Sequence, residues 1–142
     1  SSFLPSEIIS AFLWAQLENL EKIQKRRLQI WNQYSENLKN IPSVKTPQIS
    51  DYATNNAHMF YLIFENIDDR SNMIKYLKDN GVLSVFHYLS LHKSDYYSDK
   101  HDGRNLQNSD NFENTLLRLP MYYDLSESEI DRIVSLIKNY FN

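Results

Sequence analysis

Four histidines, at positions 58, 87, 92 and 101, are the side chains of this sequence best suited to meet a polar ligand. Two of them fall in one stretch, GVLSVFHYLSLH, residues 81–92. There Gly81 stops a helix, Val82, Leu83, Val85 and Phe86 form a short apolar run, and His87, Tyr88 and His92 crowd its far end. Imidazole and phenol groups at the mouth of a buried strand are poor core fillers, because each polar group needs a partner once it leaves water. They suit ligand contact. His58 opens a second apolar run, where a backbone-bonded histidine and a ligand contact fit equally well.

Other chemistries find less support. His87 and His92 are spaced neither as a helical HxxxH nor as a hairpin pair, and no Asp or Glu lies within 81–92, so a metal site is disfavoured. Ser90 lies between the two histidines, yet nothing marks it as an activated nucleophile. No lysine is embedded in an apolar run that would desolvate its amine for Schiff-base chemistry. Tyr96 and Tyr97 read as a loop folding onto its own core, and Tyr122 and Tyr123 as packing residues with wet hydroxyls. KIQKRR, residues 22–27, reads as the solvated face of a helix. The residues alone describe a non-catalytic domain with a His/Tyr-lined ligand edge.

Composition bounds the rest. With 142 residues and 42% apolar side chains, the chain can bury one ordinary core. A formal charge of −3 offers no basic surface for nucleic acid. The absence of cysteine rules out disulfides and thiolate metal sites and fits a reducing compartment. With two glycines only, no glycine-rich phosphate cradle can form. No apolar run approaches the ~20 residues of a membrane span. The opening SSFLPSEI lacks an initiator methionine and enters a helix almost at once, so a piece of a longer protein is expected.

The elements that must position the histidines follow from periodicity. Apolar residues recur at helical steps from Ile9 to Leu38, predicting one long helix from Pro5 to about Asn40. Its first half is apolar nearly all round, which calls for a contact outside this chain. Pro42 and Pro47 mark an extended connector. Ala57 to Phe64 reads as a central strand with His58, Phe60, Leu62 and Phe64 on one face. A helix capped by Asp68 or Asp69 should run to Asn80, followed by a strand from Gly81 to Tyr88. An irregular polar loop spans Leu89 to Gln107. Ser109 can cap a short helix holding Phe112, Leu116 and Leu117, before a brief extended LRLP. Ser126 and Glu129 make a capping box for the last helix. The expected fold is α/β, an α+β small domain: a small mixed sheet covered by helices, with one long helix projecting from it.

Taken together, SSFLPSEIISAFLWAQLENLEKIQKRRLQIWNQYSENL, NNAHMFYLIF, VFHYLSLH and LRLPMYYDLSESEIDRIVSLI resemble the DegT/DnrJ/EryC1/StrS family of sugar aminotransferases. They match, in order, the entry to its C-terminal domain, its histidine-aromatic strand, its HYxPLH motif and its closing LPxxxxLxxxE segment. Four motifs in register cover essentially the whole chain. The resemblance implies that residues 1–142 are the C-terminal small domain of a fold type I enzyme, with 1–40 as a docking helix and 55–142 as the core. It implies a cytoplasmic homodimer dependent on pyridoxal 5'-phosphate, moving an amino group from glutamate to a dTDP-4-keto-6-deoxyhexose for cell-surface polysaccharide. The Schiff-base lysine and the main cofactor contacts would lie in a large domain outside this chain, leaving it inactive alone. Carried over by motif, His87 and Tyr88 lie near the sugar nucleotide, His92 ends the same motif, and His58 faces the cleft. Ser2 and Leu4 stand where many relatives have asparagine and arginine, and Ser90 replaces a proline, leaving the loop less rigid. A non-catalytic dimerisation module built on the apolar helix is the main rival. A nucleic-acid module rests only on KIQKRR and comes last.

Overall fold

Ser6 begins the first helix by accepting a hydrogen bond from the Ile9 N–H at 3.4 Å. In the computed structural model, which describes residues 3–141, helix α1 then runs Glu7–Glu18 and α2 runs Leu20–Leu38. The single helix expected as far as Asn40 is therefore two. At Asn19 the backbone leaves helical geometry (φ −103°, ψ 8°), and its side-chain amide donates to the Ala15 carbonyl at 3.0 Å. A short amide side chain that bonds local backbone competes with the helical ladder in this way.

The two helices have opposite fates. No residue of α1 is buried, and Phe12 and Trp14 are about 70% exposed (72% and 66%). In α2, by contrast, Ile30, Trp31, Tyr34 and Leu38 enter the core. Trp31 meets Phe60 edge-on with centroids 5.4 Å apart, Tyr34 packs on the same ring, and the Tyr34 hydroxyl donates to Pro120 O at 3.1 Å. The core thus draws on α2 as well as on residues 55–142.

Three short strands make the sheet: β1 (Tyr61–Ile63), β2 (Val85–Phe86) and β3 (Leu116–Arg118), in the order β1-β3-β2. The sheet is small, as expected, but both ladders are antiparallel rather than mixed in direction. The strand expected over 57–64 keeps its inward face, with Phe60, Leu62 and Phe64 buried. His58 does not share that face and is exposed. The cause is local: Ala57 takes a positive φ of 49°, and the side chains of Asn55 and Asn56 accept from the N–H groups of Ala57 (2.8 Å) and His58 (3.0 Å). Two such asparagine turns bend the chain before it can pair.

Helix α3, Ile67–Asp79, is capped by Asn66, which accepts from the Asp69 N–H at 2.9 Å. The expected caps, Asp68 and Asp69, sit in the first turn instead, where their charge suits the helix dipole. Gly81 ends the helix with φ +73°. The segment beyond it is not the buried strand that its apolar run promises. Val82 and Ser84 turn inward, while Leu83, Val85 and Phe86 are exposed, and only Val85–Phe86 pair, at the sheet edge. Helix α4 spans Gln107–Thr115 with Leu106 at its cap and Ser109 inside it, so Leu116 and Leu117 begin β3 rather than end a helix. Helix α5, Glu127–Tyr140, carries the full Ser126–Glu129 capping box and buries Ile130, Ile133, Val134 and Ile137.

Candidate functional site

The chain turns sharply as it leaves β2. Tyr88 holds φ +38°, a left-handed conformation that costs a side chain with a Cβ about 1–2 kcal/mol. That turn projects the Tyr88 ring into solvent, 73% exposed, with its centroid 4.6 Å from the His87 ring. Arg118, at the end of central β3, points a guanidinium nitrogen at His87 Nδ1, 3.4 Å away. Partial burial, then the charges of Arg118 and His58, push the His87 imidazole below its ordinary pKa. His87 and Tyr88 open onto a shallow depression of about 270 Å³, continued by Leu89, Ser90, Leu91, Ser109, Phe112 and Glu113.

His58, whose charge also acts on His87, sits in the turn before β1. Its placement depends on α2. Arg27 Nε donates to Ala57 O at 3.1 Å, one terminal nitrogen donates to His58 O, and the other approaches Met121 O at 3.5 Å. The neighbouring Arg26 donates to the Leu125 carbonyl. KIQKRR is therefore only partly a solvated face, because Arg27 ties α2 to the turn that carries His58 and Arg26 ties it to the segment before α5. Sequence reading missed Arg27, although a signal was present: it stands four residues before Trp31 and seven before Tyr34, on the buried face of the helix. Arg118 was missed as well, and its signal was an arginine set in the otherwise apolar LRLP.

His92 is engaged elsewhere. Its Nε2 lies 3.1 Å from Asp110 Oδ1, and its ring centroid lies 5.2 Å from that of His101 with the planes tilted by 44°. Lys93 pairs with the same Asp110 at 2.6 Å and with Glu113 at 3.4 Å. The Lys93 ammonium is the largest influence holding Asp110 below the usual carboxylate range; for Glu113 it is the hydrogen bonds from Ser90. Ser90 is buried, donates its N–H to Glu113 at 3.1 Å and shares a 3.0 Å hydroxyl contact with Ser109. A proline at 90 could not make that N–H bond, so serine ties this loop down rather than loosening it. The segment 89–107 contains two single-turn helices, Leu91–Lys93 and Ser98–Lys100, and is less irregular than expected. Tyr96 does not fold onto the core: it is exposed, with the Lys100 amine 3.4 Å above its ring.

The structure thus brings His87 and Tyr88 together with Arg118, holds His58 in the turn before β1, and sets His92 in a neighbouring ion-pair network. Ser2 lies outside the described residues, and Leu4 is exposed. Among the described residues no group of three His, Cys, Asp or Glu side chains could hold a metal. No helix of the described residues is long and apolar enough to cross a membrane.

The model of the DegT/DnrJ/EryC1/StrS aminotransferase family matches residues 5–138. The chain belongs to this family. A spore coat polysaccharide biosynthesis protein of Bacillus subtilis, SpsC, is 27% identical over 133 residues, which cover 87% of this chain and 33% of SpsC. An aminotransferase of the same family from Brucella abortus superposes with a TM-score of 0.78 at 28% identity, over 92% of this chain and 34% of that one. DesV of S. venezuelae, solved with a ketimine intermediate, gives a TM-score of 0.85 at 21% identity, over 93% and 35%. The mixed helix-and-sheet fold is thus that of aminotransferase structures. This aminotransferase-family chain spans about a third of the length of the relatives it matches.

Proposed function

We propose that this chain is the C-terminal small domain of a pyridoxal-phosphate-dependent sugar-nucleotide aminotransferase, and that His58, His87 and Tyr88 form its contribution to the substrate cleft. One observation carries the site. Among the described residues, only two non-glycine residues hold a positive φ, Ala57 and Tyr88, and they adjoin His58 and His87. Strained backbone concentrates at functional sites, where the surrounding fold over-determines it. His92 contributes by pinning the loop that borders the depression.

Among the described residues, Lys93, which pairs with Glu113 of the depression's lining, is committed to that carboxylate and to Asp110. When bound, the cofactor would supply the electron sink for amino transfer. Its lysine and phosphate contacts would come from the two-thirds of the relatives' length that this chain does not cover, with this domain orienting the sugar nucleotide and excluding water. Phe3, Ile8, Phe12 and Trp14 then have a purpose, since the exposed apolar surface of α1 fits burial against that larger domain. The polysaccharide role of SpsC and the order of SSFLPSE, LWAQLE, NAHMFY and FHYLSLH favour a dTDP-4-keto-6-deoxyhexose as amino acceptor and glutamate as donor. The product would be dTDP-4-amino-4,6-dideoxygalactose, made by a cytoplasmic homodimer.

The test uses the full-length enzyme and follows each half-reaction by cofactor absorbance in single turnovers. Tyr88→Phe and His87→Ala should slow the sugar-nucleotide half-reaction at least tenfold more than the glutamate half-reaction. Equal losses in both would assign these residues a structural role and refute the reading.

A further inference from the structure

What His87 can offer a ligand depends on which of its ring nitrogens carries the proton. A guanidinium has five N–H donors and no acceptor, so the 3.4 Å approach of Arg118 to Nδ1 is favourable only when Nδ1 presents its lone pair. The proton of the neutral ring is then on Nε2. Arg118 is well held for this task. It sits on the central strand, opposite Tyr61 on one side and Val85 on the other, and none of the ion pairs among the described residues draws it away. Burial, then the charges of Arg118 from β3 and of His58 from the turn before β1, oppose an imidazolium at His87, while Glu113 of α4 is the carboxylate lining the same depression.

We propose that Arg118 is a positioning residue that fixes His87 as the neutral Nε2–H tautomer, so that His87 presents a hydrogen-bond donor beside Tyr88 and selects an oxygen acceptor on the ligand. A hydroxyl or phosphoryl oxygen fits that donor, whereas a ligand N–H does not. The ligand half of this inference rests on the substrate-facing role proposed above, and the tautomer half does not.

Nitrogen-15 spectra of the histidine rings in the intact chain test it. The wild type should show His87 Nε2 protonated and Nδ1 unprotonated at neutral pH. Arg118→Met should populate both tautomers and move the His87 titration upward, while Arg118→Lys, which keeps a charged donor, should restore the wild-type pattern. Unchanged His92 and His101 signals report that the variant has folded; if they move, the wild-type assignment alone decides. A wild-type His87 carrying its proton on Nδ1, or an Arg118→Met spectrum identical to wild type, overturns the proposal. In the full-length enzyme, Arg118→Met should raise KM for the sugar nucleotide severalfold and leave that for glutamate unchanged. If the tautomer is as stated but KM does not move, the substrate-facing reading of His87 fails and the tautomer assignment stands.

Discussion

Replacing Arg27 by methionine tests how the site is held. Methionine keeps much of the aliphatic stem and removes the charged fork, so the loss reports the three carbonyl contacts. The contact to Ala57 O, at 3.1 Å and with Ala57 fully buried, leaves an acceptor that water reaches poorly. A hydrogen bond from a charged donor contributes about 1.5–3 kcal/mol, and stranding its partner adds desolvation. The bond to His58 O is exposed and the one to Met121 O is long, so together they add about 1 kcal/mol at most. The expected cost is about 2–4 kcal/mol. With an unfolding entropy near 2 cal/mol/K per residue over 142 residues, each kcal/mol moves the melting midpoint by roughly 3 °C, for a fall of about 7–13 °C. Circular-dichroism melts of Arg27→Met, Arg27→Lys and the exposed control Lys25→Met would read this. Lysine, a point charge that reaches one carbonyl at a time, should fall between the other two. An Arg27→Met midpoint within 2 °C of the Lys25→Met control would return KIQKRR to a solvated face and refute the reasoning.

Three further outcomes are expected. Ser126→Ala removes the reciprocal cap of α5 and should cost about 1 kcal/mol in urea unfolding, with no change counting against the capping role. Asp110 and Glu113 titrate below their ordinary ranges, so the stability they lend the 89–107 loop is present above those ranges and lost as pH falls through the depressed values. Proteolysis within 95–104 should accelerate on acidification, and Asp110→Asn should show faster cleavage already at neutral pH; an unchanged rate would place the loop's anchor elsewhere. Phe12→Glu with Trp14→Glu should lower the melting point of this chain by no more than a few degrees, since neither residue is buried within it, and a larger fall would place α1 in its core.

The sequence showed the parts of this fold that rest on side-chain period and failed where short polar residues rewrite the backbone. Ile30, Trp31, Tyr34 and Leu38 follow the helical repeat into the core, and the α5 stripe does the same. Asn19, Asn55, Asn56 and Asn66 account for three of the differences. One breaks the long helix, two bend His58 out of the strand's face, and one caps α3 ahead of the aspartates. Each acts by bonding backbone within four residues, a preference that hydrophobic patterning cannot register. The apolar run after Gly81 misled for a different reason. Leu83, Val85 and Phe86 look like core in a chain read alone, yet they face outward, as the whole of α1 does. The chain spans a third of its relatives' length, and on the reading proposed above such apolar surfaces would meet the missing part rather than the core.

That distinction separates the two kinds of site residue. His87, Tyr88 and His58 stood out as candidates because polar aromatic groups at the ends of apolar runs need an explanation in any fold. Arg27 and Arg118 were not, because they act through carbonyls and a ring nitrogen supplied by distant parts of the chain. Both arginines nevertheless converge on the two strained positions. Arg27 binds the carbonyl of Ala57, and Arg118 addresses the ring that Tyr88 stacks against. A left-handed alanine or tyrosine persists only where its neighbours offset the cost. Here the neighbouring contacts come from α2 and β3, both of which contribute buried residues to the core. The two turns are therefore tied to elements of the scaffold. Side chains held this way would meet a ligand with their orientation already set, which lowers the cost of positioning it.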